Sequence, residues 1–276
     1  MSRRLGDVRT FAVYYGTGGE DVLSTYDLAI VAAPGRDRER IAAIREKGTL
    51  ILAYLSVLEA PLGEPDDVRR PGEALVQEAP ANVLTGPGGP VVNRQWRTWV
   101  LDPRHERTRD RFLGQAEDLL DRGYDGLFLD TMADLEDLPE AVAAGGLTGQ
   151  ATIVEAARLV AEAAASFGCA MVQNRGFRLL LPLTMPYLDG LCWESFPYRR
   201  IGLFPRRNRT IRSLQGAEGA AGLRVLALNE WSETKVAQQE ERSASRAARR
   251  CGFPWYGTLH YTDLPSPAPA AGVMPT

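Results

Sequence analysis

Eight short apolar runs recur along the chain, and stretches with apolar residues at helical spacing separate most of them. Apolar runs of about four to eight residues, bounded by turn residues, are typical of buried strands. The runs predict strands over 11–15, 27–33, 50–56, 126–130, 170–174, 188–194, 224–229 and 253–258. Because buried strands without alternation favour a parallel sheet covered on both faces, this pattern indicates an α/β fold.

Four of the intervening stretches predict long helices, over 37–47, 104–122, 149–167 and 234–250. A glycine follows the last periodic residue of each, which is the common signal for a helix end. These glycines are Gly48, Gly123, Gly168 and Gly252.

Eight strands alternating with helices favour a single (β/α)8 TIM barrel over an open doubly wound sheet. The chain has 276 residues, close to the usual barrel length of about 250. The barrel is predicted over residues 1–264, with a long loop after the third strand at 60–97. A loop of this length is expected to have a function, and it would form a lid or a cleft wall. The Pro/Ala-rich tail 265–276 is predicted to be disordered.

The net charge of -3 and the pI near 5.6 argue against a nucleic-acid-binding surface, which normally shows a basic patch. The arginines of the helical stretches, Arg36 and Arg111 among them, are expected to lie on solvated helix faces. No apolar run is long enough to span a membrane, and the first residues lack the apolar segment of a signal peptide. The default expectation is therefore a cytoplasmic protein. Separately, a monomer is expected.

Three widely separated cysteines and only two histidines argue against a zinc site with thiolate or imidazole ligands. A glycine-rich turn at 16–19 lacks the full dinucleotide-binding pattern. No cofactor and no metal are therefore expected.

Two predicted strands end in a carboxylate after the same series of residue types: an aromatic residue, an acid, a glycine and an apolar run. Asp130 ends the fourth strand in this way and Glu194 ends the sixth. In a parallel barrel both strand ends open onto the face that carries the active site. The two acids therefore suggest paired acid/base chemistry, while the alternative is that each caps the following helix.

Other side chains near the predicted strand ends are of the types that bind sugars, because amides and carboxylates bond hydroxyls and aromatic rings stack on sugar faces. Glu59 is open between a loop role and a site role, and Trp193 and Trp231 are open between sugar platforms and core residues. Asp125 and Asp189 precede their strands and are expected to be structural. The predicted substrate-binding residues are Tyr14, Glu59, Asn174, Trp193, Glu230, Trp231 and Tyr256.

Four segments resemble glycoside hydrolase family 114, the endo-α-1,4-polygalactosaminidase-like barrels. The segment ILAYLSVLE at 51–59 is similar to the family's AYLSVGE strand, and GYDGLFLD at 123–130 is similar to GFDGVFLD. QNRG at 173–176 and LDGLCWES at 188–195 are similar to its QNG and DGV..E strands, in the same order.

The resemblance implies retaining hydrolysis of an α-linked, galactosamine-containing polysaccharide. It implies Asp130 as nucleophile and Glu194 as acid/base, with Glu59, Asn174 and Tyr14 lining the subsites. It further implies a polysaccharide or oligosaccharide as partner, and secretion is frequent in the family. Three residues depart from the family's usual Gly, Asn and Asp, and they put the identity of the sugar in question more than the type of reaction. These departures are Leu58, Thr131 and Ala133.

Two other functions are compatible with the same residues. A non-catalytic or degenerate barrel would bind glycans without cleaving them, and the altered residues beside Asp130 motivate that alternative. A carboxylate–metal lyase or aldolase would use Glu59, Asp130 and Glu194 as oxygen ligands. The shortage of histidines weighs against the metal enzyme.

Overall fold

A computed structural model describes residues 5–62, 80–144, 150–201, 213, 214, 216 and 223–268. Its main feature is an eight-stranded sheet in which every neighbouring pair is parallel. The strands are β1 (Phe11–Tyr14), β2 (Leu28–Val31), β3 (Leu50–Ser56), β9 (Gly126–Asp130), β10 (Ala170–Asn174), β11 (Gly190–Glu194), β12 (Arg224–Glu230) and β13 (Trp255–Thr258).

The strands follow one another around the sheet in chain order, and the sheet is nearly closed into a barrel. Next to the open seam, the Tyr15 amide donates to the carbonyl of Tyr261, beyond the end of β13, at 2.6 Å. The predicted (β/α)8 barrel is therefore confirmed, and β3, β9 and β10 have the predicted bounds.

The described helices lie between the strands. All four long predicted helices begin and end within two residues of the predicted bounds. The helices are α1 (Glu20–Leu23), α2 (Arg38–Glu46), α3 (Glu106–Asp121), α4 (Asp134–Asp137), α5 (Pro139–Ala144), α6 (Gln150–Phe167), α7 (Leu181–Thr184), α8 (Tyr198–Ile201) and α9 (Thr234–Cys251).

The sheet is buried on both faces, as a parallel sheet between helices must be. Leu127, Phe128 and Leu129 of β9 are at most 1% exposed. Gly126 opens this strand because a Cβ at that position would lie 2.0 Å from the carbonyl oxygen of Ala170 on β10. The tight packing of β9 against β10 fixes where Asp130, at the other end of β9, leaves the sheet.

The predicted long loop after the third barrel strand contains short strands of its own. Strands β4 (Glu59–Pro61), β7 (Val92–Asn93) and β8 (Thr98–Val100) form an antiparallel sheet, here called the wall sheet. A hairpin of β5 (Thr85–Gly86) and β6 (Gly89–Pro90) lies before β7. Residues 63–79 of this stretch lie outside the described residues.

Two arginines expected on solvated helix faces point inwards instead: Arg36 is buried and Arg111 is half-buried. The Arg36 side chain is 1% exposed and donates to the carbonyls of Gly16 and Gly18, which shapes the turn after β1. Arg111 donates from Nη2 to the Glu59 carbonyl at 3.1 Å and from Nη1 to the Ser56 carbonyl at 3.2 Å. It therefore holds the chain where β3 passes into the wall sheet.

The first residues of the predicted disordered tail are bonded to the barrel. The Tyr26 hydroxyl donates to the Ser266 carbonyl, and the Ala268 amide donates to the Thr25 hydroxyl at 2.8 Å. Residues 269–276 lie outside the described residues. Among the described helices, none combines the length and apolar character needed to cross a bilayer.

Candidate functional site

Three neighbouring strands bring Asp130, Asn174 and Glu194 together at their carboxyl ends. The Asn174 Nδ2 donates to Asp130 Oδ1 at 2.9 Å and to Glu194 Oε2 at 2.8 Å. One amide nitrogen thus has a hydrogen for each carboxylate, and the two acceptor oxygens are at most about 6 Å apart, two hydrogen bonds end to end. Asn174 is 4% exposed, so this bridge is shielded from water.

Each carboxylate also contacts a tyrosine hydroxyl. Tyr261 donates to Glu194 Oε1 at 2.7 Å, and the Tyr54 hydroxyl lies beside the Asp130 carboxyl group. Burial, followed by the negative charge of the adjacent carboxylate, raises the pKa of each phenol above the usual range for tyrosine. Both hydroxyls therefore keep their protons and remain donors at neutral pH.

Tyr15 lies between these two tyrosines. Its ring centroid is 4.8 Å from that of Tyr54 and 5.1 Å from that of Tyr261. Burial, and then the charge of Asp130, raises the pKa of Tyr15 well above its ordinary value. We call Tyr15, Tyr54 and Tyr261 the tyrosine cluster; it forms an aromatic side of the site next to both acids.

A residue with a left-handed backbone follows each of the three bridged side chains. Thr131 after Asp130 has φ 69°, Arg175 after Asn174 has φ 57°, and Ser195 after Glu194 has φ 54°. Residues with a Cβ adopt this conformation at a cost of about 1–2 kcal/mol each. Backbone strain of this kind concentrates at functional sites, where it turns the chain sharply after the residue that must be oriented.

The threonine that departs from the family pattern has a bonding role here. Thr131 Oγ1 accepts from the Leu58 amide at 2.9 Å and donates to the Asp130 carbonyl at 2.6 Å. The hydroxyl therefore ties the end of β9 to the turn that follows β3.

A second carboxyl pair lies in the same region, at the base of the wall sheet. Asn93 Nδ2 donates to Glu59 Oε1 at 2.8 Å and to Asp134 Oδ2 at 3.3 Å. Burial, followed by the hydrogen bond and the charge of Glu59, raises the pKa of Asp134 to about 9. The structure thus joins Glu59 to Asp134 instead of placing it in direct contact with Asp130 and Glu194.

Glu230 lies at the end of β12, close enough to Glu194 for that carboxylate to affect its pKa. Burial and then the charge of Glu194 raise the pKa of Glu230, and His260 opposes the shift. Its predicted position near the barrel mouth agrees with these interactions.

Tyr14 does not reach the site in the structure, and this expectation needs correction. Its hydroxyl donates to the Thr17 carbonyl at 2.9 Å, and the Arg36 guanidinium lies 5.3 Å from its ring centroid. Because successive strand side chains point to opposite faces, Tyr15 and not Tyr14 points towards the acids.

The other predicted aromatic residues pack against aromatic neighbours. Trp193 lies between Phe177 and Phe196, with ring centroids 4.9 and 5.4 Å away. Trp231 is 8% exposed and packs on Trp255, with ring centroids 5.9 Å apart. For these two tryptophans the structure favours the core alternative over the sugar platform.

Tyr256 is likewise packed in the barrel, and it is 7% exposed. Its ring centroid lies 5.8 Å from that of Phe11 and 6.4 Å from that of Tyr26. The prediction that it binds substrate gains no support from these contacts.

Asp125 and Asp189 support the opposite end of the barrel, as predicted. Asp125 Oδ2 accepts from the Ile51 amide at 3.0 Å, and Asp189 Oδ2 accepts from the Met171 amide at 3.0 Å. Both carboxylates join neighbouring strands at their amino ends.

Four residues of the region are not among the site residues predicted from the sequence: Tyr54, Asn93, Asp134 and Tyr261. Tyr54 precedes Ser56 by two positions, so strand alternation alone would have placed it on the same face as the strand-end residue. Tyr261 and Asn93 lie beyond or outside long strands, where no periodicity indicates a direction.

In the part of the chain that the structure describes, no group of three or more His, Cys, Asp or Glu side chains is arranged to hold a metal ion. The three acids suggested as metal ligands have different partners, since Glu59 accepts from Asn93 whereas Asp130 and Glu194 both accept from Asn174.

Solved structures with this fold include several glycosidases. The glycoside hydrolase domain of PelA from Pseudomonas aeruginosa is 21% identical over 93% of this chain and 97% of that chain, with a TM-score of 0.68. Ega3 from Aspergillus fumigatus, solved in complex with galactosamine, is 15% identical over 95% of each chain, with a TM-score of 0.66. The α-galactosidase TtGalA from Thermus thermophilus is 17% identical, with a TM-score of 0.53 over 97% of this chain and 60% of that chain.

At these identities the likeness establishes a shared barrel fold. No protein of curated function matches the chain in sequence. The model of glycoside-hydrolase family GH114, however, matches residues 6–249, which is most of the chain. This barrel, with its acids at the strand ends, belongs to glycoside-hydrolase family GH114.

Proposed function

We propose that the protein is a retaining glycosidase that cleaves an α-linked, galactosamine-containing polysaccharide, with Asp130 and Glu194 as the catalytic carboxyl groups. The observation that carries the proposal is the shared bridge from Asn174 Nδ2, at 2.9 Å to Asp130 and 2.8 Å to Glu194. Retaining glycosidases hold their two carboxyl groups about 5–5.5 Å apart, and inverting enzymes about 6.5–9.5 Å. Two oxygens at most about 6 Å apart favour retention.

In the proposed reaction, Asp130 attacks the anomeric carbon and forms a glycosyl–enzyme ester. Glu194 gives its proton to the glycosidic oxygen, so the bond to the leaving sugar breaks and that sugar departs as an alcohol. Glu194 then removes a proton from water, and the resulting attack on the anomeric carbon releases Asp130 as a carboxylate. Two displacements on the same carbon give net retention.

Two hydrogen bonds orient Glu194 for both of its roles. Its carboxyl oxygens accept from Asn174 Nδ2 at 2.8 Å and from the Tyr261 hydroxyl at 2.7 Å. The same group gives a proton to the glycosidic oxygen in the first step and takes one from water in the second.

The choice of an amino sugar rests on the family and on charge. The matched structures include Ega3 in complex with galactosamine, and the site combines Asp130, Glu194 and Glu230 near one another. Several acids in one cleft attract a cationic sugar more strongly than a neutral one.

The experiment is azide rescue of two variants on an α-galactosaminide with a good leaving group. For Glu194→Ala, azide should restore turnover and give a glycosyl azide of retained configuration, because Asp130 still forms the ester. For Asp130→Ala, azide should give the inverted product, because it attacks in place of the nucleophile. If Glu194→Ala gave the inverted azide and Asp130→Ala gave the retained one, the roles of the two acids would be reversed.

Asp110→Asn is a matched control, since this exposed carboxylate on α3 pairs with Arg109 far from the bridge. It should keep wild-type activity. Full activity in either Asp130→Ala or Glu194→Ala without azide would refute the paired mechanism. Binding of the polymer by the wild type without any hydrolysis would leave the non-catalytic barrel as the function.

A further inference from the structure

A second acid pair, separate from Asp130 and Glu194, joins the wall sheet to the barrel. Glu59, the first residue of β4, is 6% exposed, and the half-buried Asp134 begins α4. Asn93 Nδ2 from β7 donates to both carboxyl groups, at 2.8 Å to Glu59 and at 3.3 Å to Asp134. Two carboxylates held this close in a partly desolvated place repel each other, so a proton on one of them stabilises the pair.

The charges facing the pair explain why it retains the proton. From β9 the carboxylate of Asp130 acts on Asp134, and from β3 the Tyr54 phenol lies within reach of Glu59. The Arg111 guanidinium of α3 donates to the Glu59 carbonyl and not to its carboxylate. Among the described residues, no lysine, arginine or histidine forms an ion pair with either acid, so the neighbourhood favours one negative charge over two.

The pair connects three segments that border the site. Glu59 and Asn93 belong to the wall sheet, and Asp134 follows Asp130 after only three residues, the first of which is the strained Thr131. A bond between the wall sheet and α4 therefore fixes the chain that leaves the catalytic strand end. The same bond fixes the position of the wall sheet beside the barrel mouth.

We propose that Glu59, Asn93 and Asp134 form a clasp, closed by one shared proton, which positions the wall sheet against the segment after Asp130 and opens in alkaline solution with loss of glycosidase activity. These three are positioning residues, because they act through the segment that carries Asp130. The effect on activity rests on the proposed function, whereas the effect on stability does not.

The direction of the pH effect follows from the raised pKa of Asp134, about 9, which burial and Glu59 produce. An unfolded aspartate loses its proton near pH 4, so between about pH 4 and 9 the folded protein holds a proton that the unfolded chain does not. The stability that this proton gives is complete below that window and is lost as pH rises through it.

The test uses Asp134→Asn, which keeps the shape of the clasp and donates an amide hydrogen to Glu59 at every pH. Thermal unfolding of the wild type and the variant is followed from about pH 5 to pH 10, together with hydrolysis of an α-galactosaminide polymer. The wild-type Tm should fall relative to that of the variant as pH rises. The alkaline limb of kcat/KM should also lie at lower pH in the wild type.

Asp137→Asn is the matched control, because it removes a carboxylate of the same helix that pairs with Arg175 at the surface. Its Tm curve should run parallel to that of the wild type. Glu59→Gln provides a second test, since a glutamine amide also donates without a titrating proton.

Parallel Tm curves for the wild type, Asp134→Asn and Glu59→Gln would overturn the clasp. Diverging Tm curves with coincident pH profiles of kcat/KM would overturn its positioning role. Diverging Tm curves in a protein that hydrolyses nothing would support the clasp and refute the proposed glycosidase activity.

Discussion

The hydroxyl of Tyr261 donates to Glu194 at 2.7 Å, although the two residues are 67 positions apart in sequence. Tyr261 lies beyond the last barrel strand, and its carbonyl also accepts from the Tyr15 amide near the barrel seam. The segment after β13 therefore completes the site as well as the seam. Orientation of Glu194 depends on a residue outside every strand.

Replacing Tyr261 by phenylalanine should lower kcat by about tenfold or more, because a hydrogen bond to a charged group contributes roughly 1.5–3 kcal/mol. KM should change much less, since the ring and the tyrosine cluster remain. Steady-state kinetics on a galactosaminide measures the effect. Tyr187→Phe, at a position 42% exposed, should leave both constants unchanged. Equal kinetics for the two variants would show that the hydroxyl does not orient Glu194.

Replacing Asn174 by alanine should remove the common donor between Asp130 and Glu194 and leave their charges facing each other. We expect a loss of about 1–3 kcal/mol in the free energy of unfolding at neutral pH. Urea unfolding of the variant and the wild type at pH 7 measures this loss. An unchanged free energy of unfolding would contradict the bridge.

Replacing Ser195 by glycine should stabilise the protein by about 0.5–1 kcal/mol, because glycine adopts a positive φ without steric cost. Ser195 is the clearest of the three strained positions, since its side chain is exposed and no hydrogen bond of its hydroxyl occurs among the described residues. Ser195→Ala retains the Cβ and should give no such gain. Urea unfolding of both variants, compared with the wild type, decides whether the backbone is strained.

Replacing Arg111 by methionine should destabilise the protein by about 2–4 kcal/mol, because buried carbonyl groups, including those of Ser56 and Glu59, lose their donor. Hydrogen exchange should also increase in residues 56–59. Arg107→Met, in the exposed first turn of the same helix, is the control and should change neither quantity. Unchanged exchange at 56–59 would show that the turn is held by other contacts.

The barrel could be predicted from the sequence because each strand is a short apolar run and each long helix has a clear period. Asp130, Asn174 and Glu194 could be predicted to lie together because the carboxyl ends of parallel strands meet on one face. Their hydrogen bonding could not be predicted, since it depends on atomic distances set by the packing of β9, β10 and β11.

The errors have physical causes as well. Successive strand side chains point to opposite faces, and β1 ends in two tyrosines in a row. The sequence alone does not show which of the two faces the acids, and for this reason it predicts Tyr14 instead of Tyr15. The strands of the wall sheet have two or three residues each, too few to show any alternation. Asn93 and Asp134 reach Glu59 only through the folding of that sheet, so no local signal in the sequence identifies the clasp.

The bridge from Asn174 has a consequence for how such barrels can diversify. The amide comes from the strand between the two acids, and the spacing of its two hydrogens sets how far apart Asp130 and Glu194 can be. The interior of the barrel, and not the surrounding loops, therefore determines the distance on which the proposed reaction depends. Loops can be exchanged to accommodate a different polymer while the chemistry remains the same.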